Sequence, residues 1–323
     1  MTLAAASPFL TARPRTLSPQ KFVDPARTAD GSPRAAVTLE RLETLWFNTG
    51  TLCNIACANC YIESSPTNDA LVYLTRADAR AYLDEIAALH LPTGEIGFTG
   101  GEPFMNPDIL PMIEDALGAG RRVLVLTNAM RPMTRWGARL ARLAAVAGDR
   151  LTLRVSLDHH TRAVHDAERG EGSWEKAWEG LRWLRDHGFR LAVAGRRLAD
   201  EEEAAARAAY ATLFGVERLD IDAFNPGALV LFPEMEPAVD VPEISEACWS
   251  VLHRAPSEMM CAGSRMVVRR RESADPVVVA CTLIPHDPGF EMGRTLAEAS
   301  GRVSLNHPFC AQFCVLGGAS CSA

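Results

Sequence analysis

The chain has 323 residues, a formal net charge of −7, 48% hydrophobic residues and nine cysteines. That length suffices to bury a large core, and an acidic balance without basic clusters argues against a nucleic-acid partner. No apolar run approaches the about 20 residues of a membrane span, and clustered cysteines, odd in number, suit metal ligation in the cytoplasm better than a disulfide framework.

Residues 1–40 carry Pro8, Pro14, Pro19, Pro25 and Pro33 among Ala, Thr and Arg, with neither helical nor alternating periodicity, and read as an irregular leader. Its apolar opening is broken by Pro8 too early for a secretory signal. From Glu43 short strands alternate with longer amphipathic helices, the pattern of a parallel sheet with crossover helices. Six strands are expected, at Thr44 to Asn48, Glu95 to Thr99, Arg122 to Thr127, Leu151 to Leu157, Arg190 to Ala194 and Arg218 to Phe224. The helices between them are expected near Thr75 to His90, Asp108 to Ala119, Thr134 to Ala145, Ser173 to His187 and Asp200 to Phe214. Ala79, Tyr82, Leu83, Ile86 and Leu89 show the spacing of a buried helical stripe. Six units are two short of a closed eightfold barrel, so residues 41–225 read as an α/β fold, an open, partial (β/α)6 TIM-like barrel.

Such folds place their sites where strands end, and the polar motifs fall there. After the first strand, Cys53, Cys57 and Cys60 form a CxxxCxxC loop. Structural zinc takes four protein ligands, whereas a 4Fe-4S cube held by three thiolates keeps one iron open. A zinc site with a distant fourth ligand, or three unrelated buried thiols, is also compatible with this spacing. Gly100 and Gly101 follow strand two and let backbone approach a ligand closely, and the Glu102 carboxylate beside them can accept hydrogen bonds from an ammonium group. Asn128 follows strand three, Ser156 and Asp158 end strand four, and Arg196 follows strand five.

The cysteine loop together with Gly100-Gly101-Glu102-Pro103 resembles the radical S-adenosylmethionine (radical SAM) superfamily, from about Leu45 to the C-terminus. The resemblance implies the partial barrel. It also implies a 4Fe-4S cluster whose open iron chelates the methionine moiety, and reductive cleavage to a 5′-deoxyadenosyl radical fed by a donor such as flavodoxin or ferredoxin. The ammonium near Glu102 is then the methionine amine. Ser156 and Asp158 offer partners for ribose hydroxyls, Asn128 faces the nucleoside, and Arg196 or Arg197 pairs with the methionine carboxylate. The run Ser156-Leu157-Asp158, with His165-Asp166 and Arg169-Gly170, resembles the family around its fourth strand. His159, His160 and His165 crowd the same segment and read mostly as surface or capping residues. Asn59 departs from the family pattern, in which an apolar or aromatic residue near adenine often precedes the third cysteine; Tyr61 is the substitute for that contact.

Beyond the sixth strand, Pro226, Pro233, Pro237 and Pro242 mark residues 226–259 as linker and helix, with Cys248 a buried thiol. In residues 260–323, Cys261, Cys281, Cys310, Cys314 and Cys321 flank a hairpin that includes Val277 to Ala280 and a helical piece near Arg294 to Ser300. This resembles the twitch or shortened SPASM extensions that hold auxiliary clusters. The ligand count favours one auxiliary 4Fe-4S cluster, held by Cys261, Cys281, Cys310 and Cys314 with Cys321 as substitute. A zinc knuckle from the same thiols is the alternative. The function expected is a radical SAM oxidoreductase or maturase that abstracts a carbon-bound hydrogen from a peptide or small molecule. A non-catalytic iron-sulfur or zinc sensor would give Gly100 to Pro103 no role, and no cobalamin-binding domain is apparent.

Overall fold

A computed structural model describes residues 15–318. After β1 (Ala36–Val37), the parallel strands are β2 (Thr44–Asn48), β3 (Glu95–Thr99), β4 (Arg122–Thr127), β5 (Leu151–Ser156), β6 (Arg190–Arg197) and β7 (Leu229–Pro233). They pair in chain order from β2 to β7, and the sheet does not close. On the other side of β2 lies β8 (Ser264–Val268), also parallel, followed outward by antiparallel β9 (Val277–Val279) and β10 (Glu291–Gly293). The C-terminal region thus extends the barrel sheet itself. A separate pair joins β1 to β11 (Val303–Ser304).

The helices are α1 (Arg76–Ala88), α2 (Ile109–Gly118), α3 (Arg131–Thr134), α4 (Gly137–Ala147), α5 (Arg162–Arg169), α6 (Ser173–Asp186), α7 (Glu203–Val216) and α8 (Cys248–Val251). Thr75 opens α1 with a capping box completed by Asp78, an arrangement whose loss costs about 1 kcal/mol. Ile109, Leu110, Met112, Ile113, Ala116 and Leu117 form the buried face of α2; each large side chain there contributes about 1.5–3 kcal/mol. No described helix is long and apolar enough to cross a membrane.

Strand alternation divides the interior in two. Leu45, Phe47, Val123 and Val125 pack with the helices, while Trp46 and Leu124 join a second core with Met260, Met266, Phe309 and Phe313 of the C-terminal region. A Cβ on Gly97 would lie 2.2 Å from the Trp46 ring, so the absence of a side chain there makes room for the indole.

The sixth parallel strand is Leu229–Pro233, not Arg218 to Phe224. Residues 218–224 do alternate in burial, with Leu219, Ile221 and Ala223 inward, but they add no strand to the sheet. The true strand is an unbroken apolar run, as parallel strands covered on both faces are, and its final proline is tolerated because β7 is an edge. The irregular segment from residue 15 is tied down by Leu17 N–H to Ala238 O at 2.8 Å and by Lys21 to Asp240 at 2.6 Å.

Candidate functional site

The cysteine loop after β2 is held by backbone pairing from the segment after β3. Gly101 N–H donates to Gly50 O at 2.8 Å and Glu102 N–H to Leu52 O at 3.2 Å. A Cβ on Gly101 would come within 2.2 Å of Leu52 O; on Gly100, whose φ is +131°, it would come within 2.6 Å of Gly50 O. Both glycines are therefore dictated by the approach of two chain segments.

The strand ends surround a cavity of roughly 1040 Å³, part of it open to solvent, lined by Cys53, Cys57, Cys60, Tyr61, Gly100, Gly101, Asn128, Ser156, Asp158 and Arg196. Of the residues singled out near the cysteine loop, Glu102 and Pro103 lie behind this lining. The Glu102 carboxylate, 1% exposed, accepts from the Thr127 hydroxyl at 2.9 Å, Asn128 N–H at 2.8 Å and Phe104 N–H at 3.1 Å. Burial pushes its pKa up to about 7 against those hydrogen bonds. Its immediate work is to join the turn after β3 to the end of β4.

The three thiols have polar company. Asn128 Nδ2 lies 3.8 Å from Cys53 Sγ and donates to Asn54 Oδ1 at 2.9 Å, and Ser64 N–H points to Cys60 Sγ at 3.3 Å. Burial pushes the Cys53 thiol up to about 12, with Glu102 and Cys57 adding to the effect, and it also raises Cys57. Without metal Cys53 and Cys57 stay protonated; ligation would release their protons. Three thiols on one cavity wall, beside amide donors and the half-buried Arg169, suit a cluster bearing negative charge.

Arg169 and Glu168 were not among the expected site residues, although the Arg169-Gly170 pair drew notice. They end α5, a helix not anticipated. Arg169 Nε lies 3.0 Å from Asp158 Oδ2, so Asp158 is committed to an ion pair on the cavity wall. Glu168 takes Asn59 Nδ2 on both oxygens at 3.0 and 3.1 Å, and its carbonyl accepts from Ala58 N–H at 2.8 Å. The unusual Asn59 thereby anchors the cysteine loop to α5. Arg196, read as a carboxylate partner, donates to the Tyr61 hydroxyl at 2.9 Å and Asn59 O at 3.0 Å, with its guanidinium 5.0 Å from the Tyr61 ring centre. Tyr61 in turn donates to Pro233 O at 3.1 Å and stacks on Phe232. His165 is a core residue, fully buried against Trp174, and burial pulls its pKa down to about 4.

Four of the later cysteines come together as well. Cys261, Cys281, Cys310 and Cys314 line one cavity of about 400 Å³ whose other walls include Met260, Leu283, Phe290 and Phe309. Cys310 and Cys314 project from a π-helical turn, Cys310–Val315, and Cys281 follows β9. Burial raises Cys281, and pushes Cys261 up to about 11 and Cys310 up to about 12. Arg265, fully buried, donates to the carbonyls of Cys261 at 2.6 Å, Ser264 at 2.8 Å and Ala299 at 2.8 Å. Its charge near Cys261 and Cys281 would offset thiolates, so donor set and surroundings fit a cluster. Cys248 is half-buried, 3.5 Å from the Ser245 hydroxyl and off this cavity, and Cys321 lies outside the described residues.

The sequence model of the radical SAM superfamily matches residues 47–209. The antilisterial bacteriocin subtilosin biosynthesis protein AlbA of Bacillus subtilis (strain 168) is 32% identical over 143 residues, 44% of this chain and 30% of that protein. Mycofactocin maturase MftC of Mycobacterium tuberculosis (strain CDC 1551 / Oshkosh) is 31% identical over 173 residues, 52% of this chain and 42% of its own. The chain therefore spans less than half the length of either curated relative. Streptococcus suis SuiB bound to S-adenosylmethionine superposes with a TM-score of 0.55 at 10% identity, over 79% of this chain and 63% of that one. anSMEcpe with bound AdoMet gives 0.54 at 14% identity, over 79% and 76%. Both share the fold. The matched segment runs from β2 into α7 and contains the whole cysteine loop and the glycine motif packed on it, and the chain belongs to the radical SAM superfamily.

Proposed function

We propose that Cys53, Cys57 and Cys60 hold the S-adenosylmethionine-binding 4Fe-4S cluster of this radical SAM enzyme. We further propose that Cys261, Cys281, Cys310 and Cys314 hold an auxiliary 4Fe-4S cluster serving a net oxidation of substrate. When bound, the first cluster and S-adenosylmethionine supply an electron and a 5′-deoxyadenosyl radical that takes a hydrogen atom from carbon. A cluster held by Cys261, Cys281, Cys310 and Cys314 would supply an acceptor for one electron, the accompanying proton passing to solvent. The chain's own residues bind and orient. Asn128, Ser156 and Asp158 face the nucleoside end, Gly100 and Gly101 offer backbone, and Arg196 with Tyr61 keeps the loop in place. Glu102, tied to Asn128 N–H, supports this wall from behind.

The observation that carries the reading is the wall between the two cysteine cavities. Thr282 and Leu283 line the central cavity, while Cys281 and Leu283 line the C-terminal one. One short segment thus separates the two thiol sets, a fitting arrangement for passing an electron off the substrate. The substrate we favour is a peptide. A third cavity, outside the Cys60 and Tyr61 loop, runs between it and Ile284, His286 and Phe309, with room for an extended chain. AlbA and MftC, by name a bacteriocin biosynthesis protein and a maturase, and an anSMEcpe structure with a bound Cp18Cys peptide, support the same class.

The test uses anaerobically reconstituted protein with Cys53, Cys57 and Cys60 all replaced by Ala. It should make no 5′-deoxyadenosine yet keep about four irons. Continued 5′-deoxyadenosine production would overturn the first assignment; zinc or no metal in the variant would overturn the second.

A further inference from the structure

The chain doubles back directly after Cys60. Cys60 O accepts from Glu63 N–H at 3.0 Å, and Glu63 sits at φ +52°, in the left-handed region that a glutamate seldom occupies. Such strain costs about 1–3 kcal/mol and persists only where neighbours enforce it. Here Asn68 Nδ2 donates to Glu63 O at 2.7 Å, and His286 Nε2 donates to Ile62 O at 3.0 Å. Ser65 O, beyond the turn, accepts from Cys53 N–H at 3.0 Å. What the turn achieves is the placement of Ser64, whose N–H lies 3.3 Å from Cys60 Sγ.

Ser64 brings a second donor to the same place. It lines the central cavity, is 6% exposed, and its hydroxyl is shut away from solvent with no hydrogen-bond partner among the described residues. A serine oxygen stays within about 4 Å of its own backbone nitrogen in every rotamer, so this hydroxyl lies on the flank of the sulfur that the N–H addresses. A buried hydroxyl left unpaired costs about 1–3 kcal/mol, and an acceptor arriving in the cavity would recover it.

Hydrogen bonds to the sulfurs of a cluster stabilise its more negative, reduced state and so raise its potential. We infer that the Ser64 hydroxyl donates to sulfur at the Cys60 corner of the cluster and, with the N–H of the same residue, sets how readily that cluster takes up an electron. The inference rests on the proposal that Cys53, Cys57 and Cys60 hold the cluster. Ser64 acts through the cluster and needs no contact with substrate.

Reconstituted protein would be titrated anaerobically with redox mediators and followed by electron paramagnetic resonance, using the signal that changes when S-adenosylmethionine is added, since that response requires an open iron. Ser64→Ala should carry wild-type iron yet show a more negative midpoint, the ratio of reduced to oxidised cluster at one fixed potential falling at least about threefold. Ser64→Thr and Ser64→Val have the same shape and isolate the hydroxyl: the first should keep the wild-type ratio and the second should fall with Ser64→Ala. Ser65→Ala removes a hydroxyl that accepts Asn68 N–H at 3.0 Å in the same turn, and it should leave the ratio unchanged. Equal ratios for the Thr and Val variants, or an equal fall in Ser65→Ala, would overturn the role of the Ser64 hydroxyl alone. A wild type with no signal responsive to S-adenosylmethionine would overturn the cluster assignment, and this inference with it.

Discussion

Arg169 Nε stands 3.0 Å from Asp158 Oδ2 with both side chains about one-tenth exposed, an ion pair joining the end of α5 to the end of β5 at the edge of the central cavity. The contact is one of charge, since that N–H is not aligned as a hydrogen bond. Removing one partner of such a pair strands the other in low dielectric. Asp158→Asn should therefore lower the stability of the metal-free chain by about 3 kcal/mol, read from urea unfolding. Combining it with Arg169→Met should restore at least half of that loss. A single variant as stable as wild type would show that the pair is solvated and idle.

Gly101→Ala tests the packing of the glycine motif on the cysteine loop. The added methyl group meets backbone at 2.2 Å, so Leu52 and Cys53 must move. Cluster occupancy after reconstitution, followed by absorbance and iron content, should fall severalfold. Gly118→Ala, at the end of α2 with nothing within 4 Å of the new carbon, should leave occupancy alone and change stability by no more than about 1 kcal/mol.

Arg196→Lys keeps the charge but loses the fork that grips the Tyr61 hydroxyl and Asn59 carbonyl. Iron loss from the Cys60 side of the loop to a chelator should accelerate severalfold, whereas Arg197→Lys, whose Nη1 reaches only the Glu201 carbonyl at 3.4 Å, should not. Equal rates for all three proteins would refute the clamp.

Glu102 gives a pH dependence of defined sign. Its pKa rises from 4.5 to about 7 on folding. The folded state holds that proton more tightly, so the stability linked to it is fully present below pH 4.5 and is lost as pH rises through 7. The full difference is on the order of 3 kcal/mol. Metal-free wild type should lose stability between pH 5 and 8 more steeply than Glu102→Gln, measured as the change in urea midpoint. Parallel profiles would mean that the carboxyl titrates normally.

Five of the six barrel strands, and the positions of Cys53, Cys57, Cys60, Asn128 and Ser156 at their ends, could be read from residue order alone. Period and spacing are local properties. The sixth strand was misplaced because Leu219 to Ala223 alternate, whereas Leu229 to Leu231, buried on both faces, do not. Helix α5 escaped notice because Arg162 to Arg169 is polar and buries only His165. The company of Asn59 and Asp158 was invisible for a different reason: their partners Glu168 and Arg169 lie on that helix, and Asn59 is 109 residues away from its partner. A cysteine count narrowed the auxiliary set, but only folding brings Cys261 and Cys314 to one cavity.

The placement of β8 beside β2, and of β11 beside β1, has a consequence for how the chain acquires its shape. Thr44 pairs with Ser264 and Ala36 with Ser304, so the first strands gain their outer neighbours only after most of the chain has emerged. Contacts of such sequence separation are slow to form. Until they close, the free edge of β2 offers unpaired N–H and C=O groups, and the thiols at residues 261 and 281 lack the wall bearing Cys310 and Cys314. A nascent chain in that condition is open to iron-sulfur delivery but also to edge-to-edge association. Expression at lower temperature, with iron supply raised early, should therefore favour soluble protein more than the same supply given after synthesis.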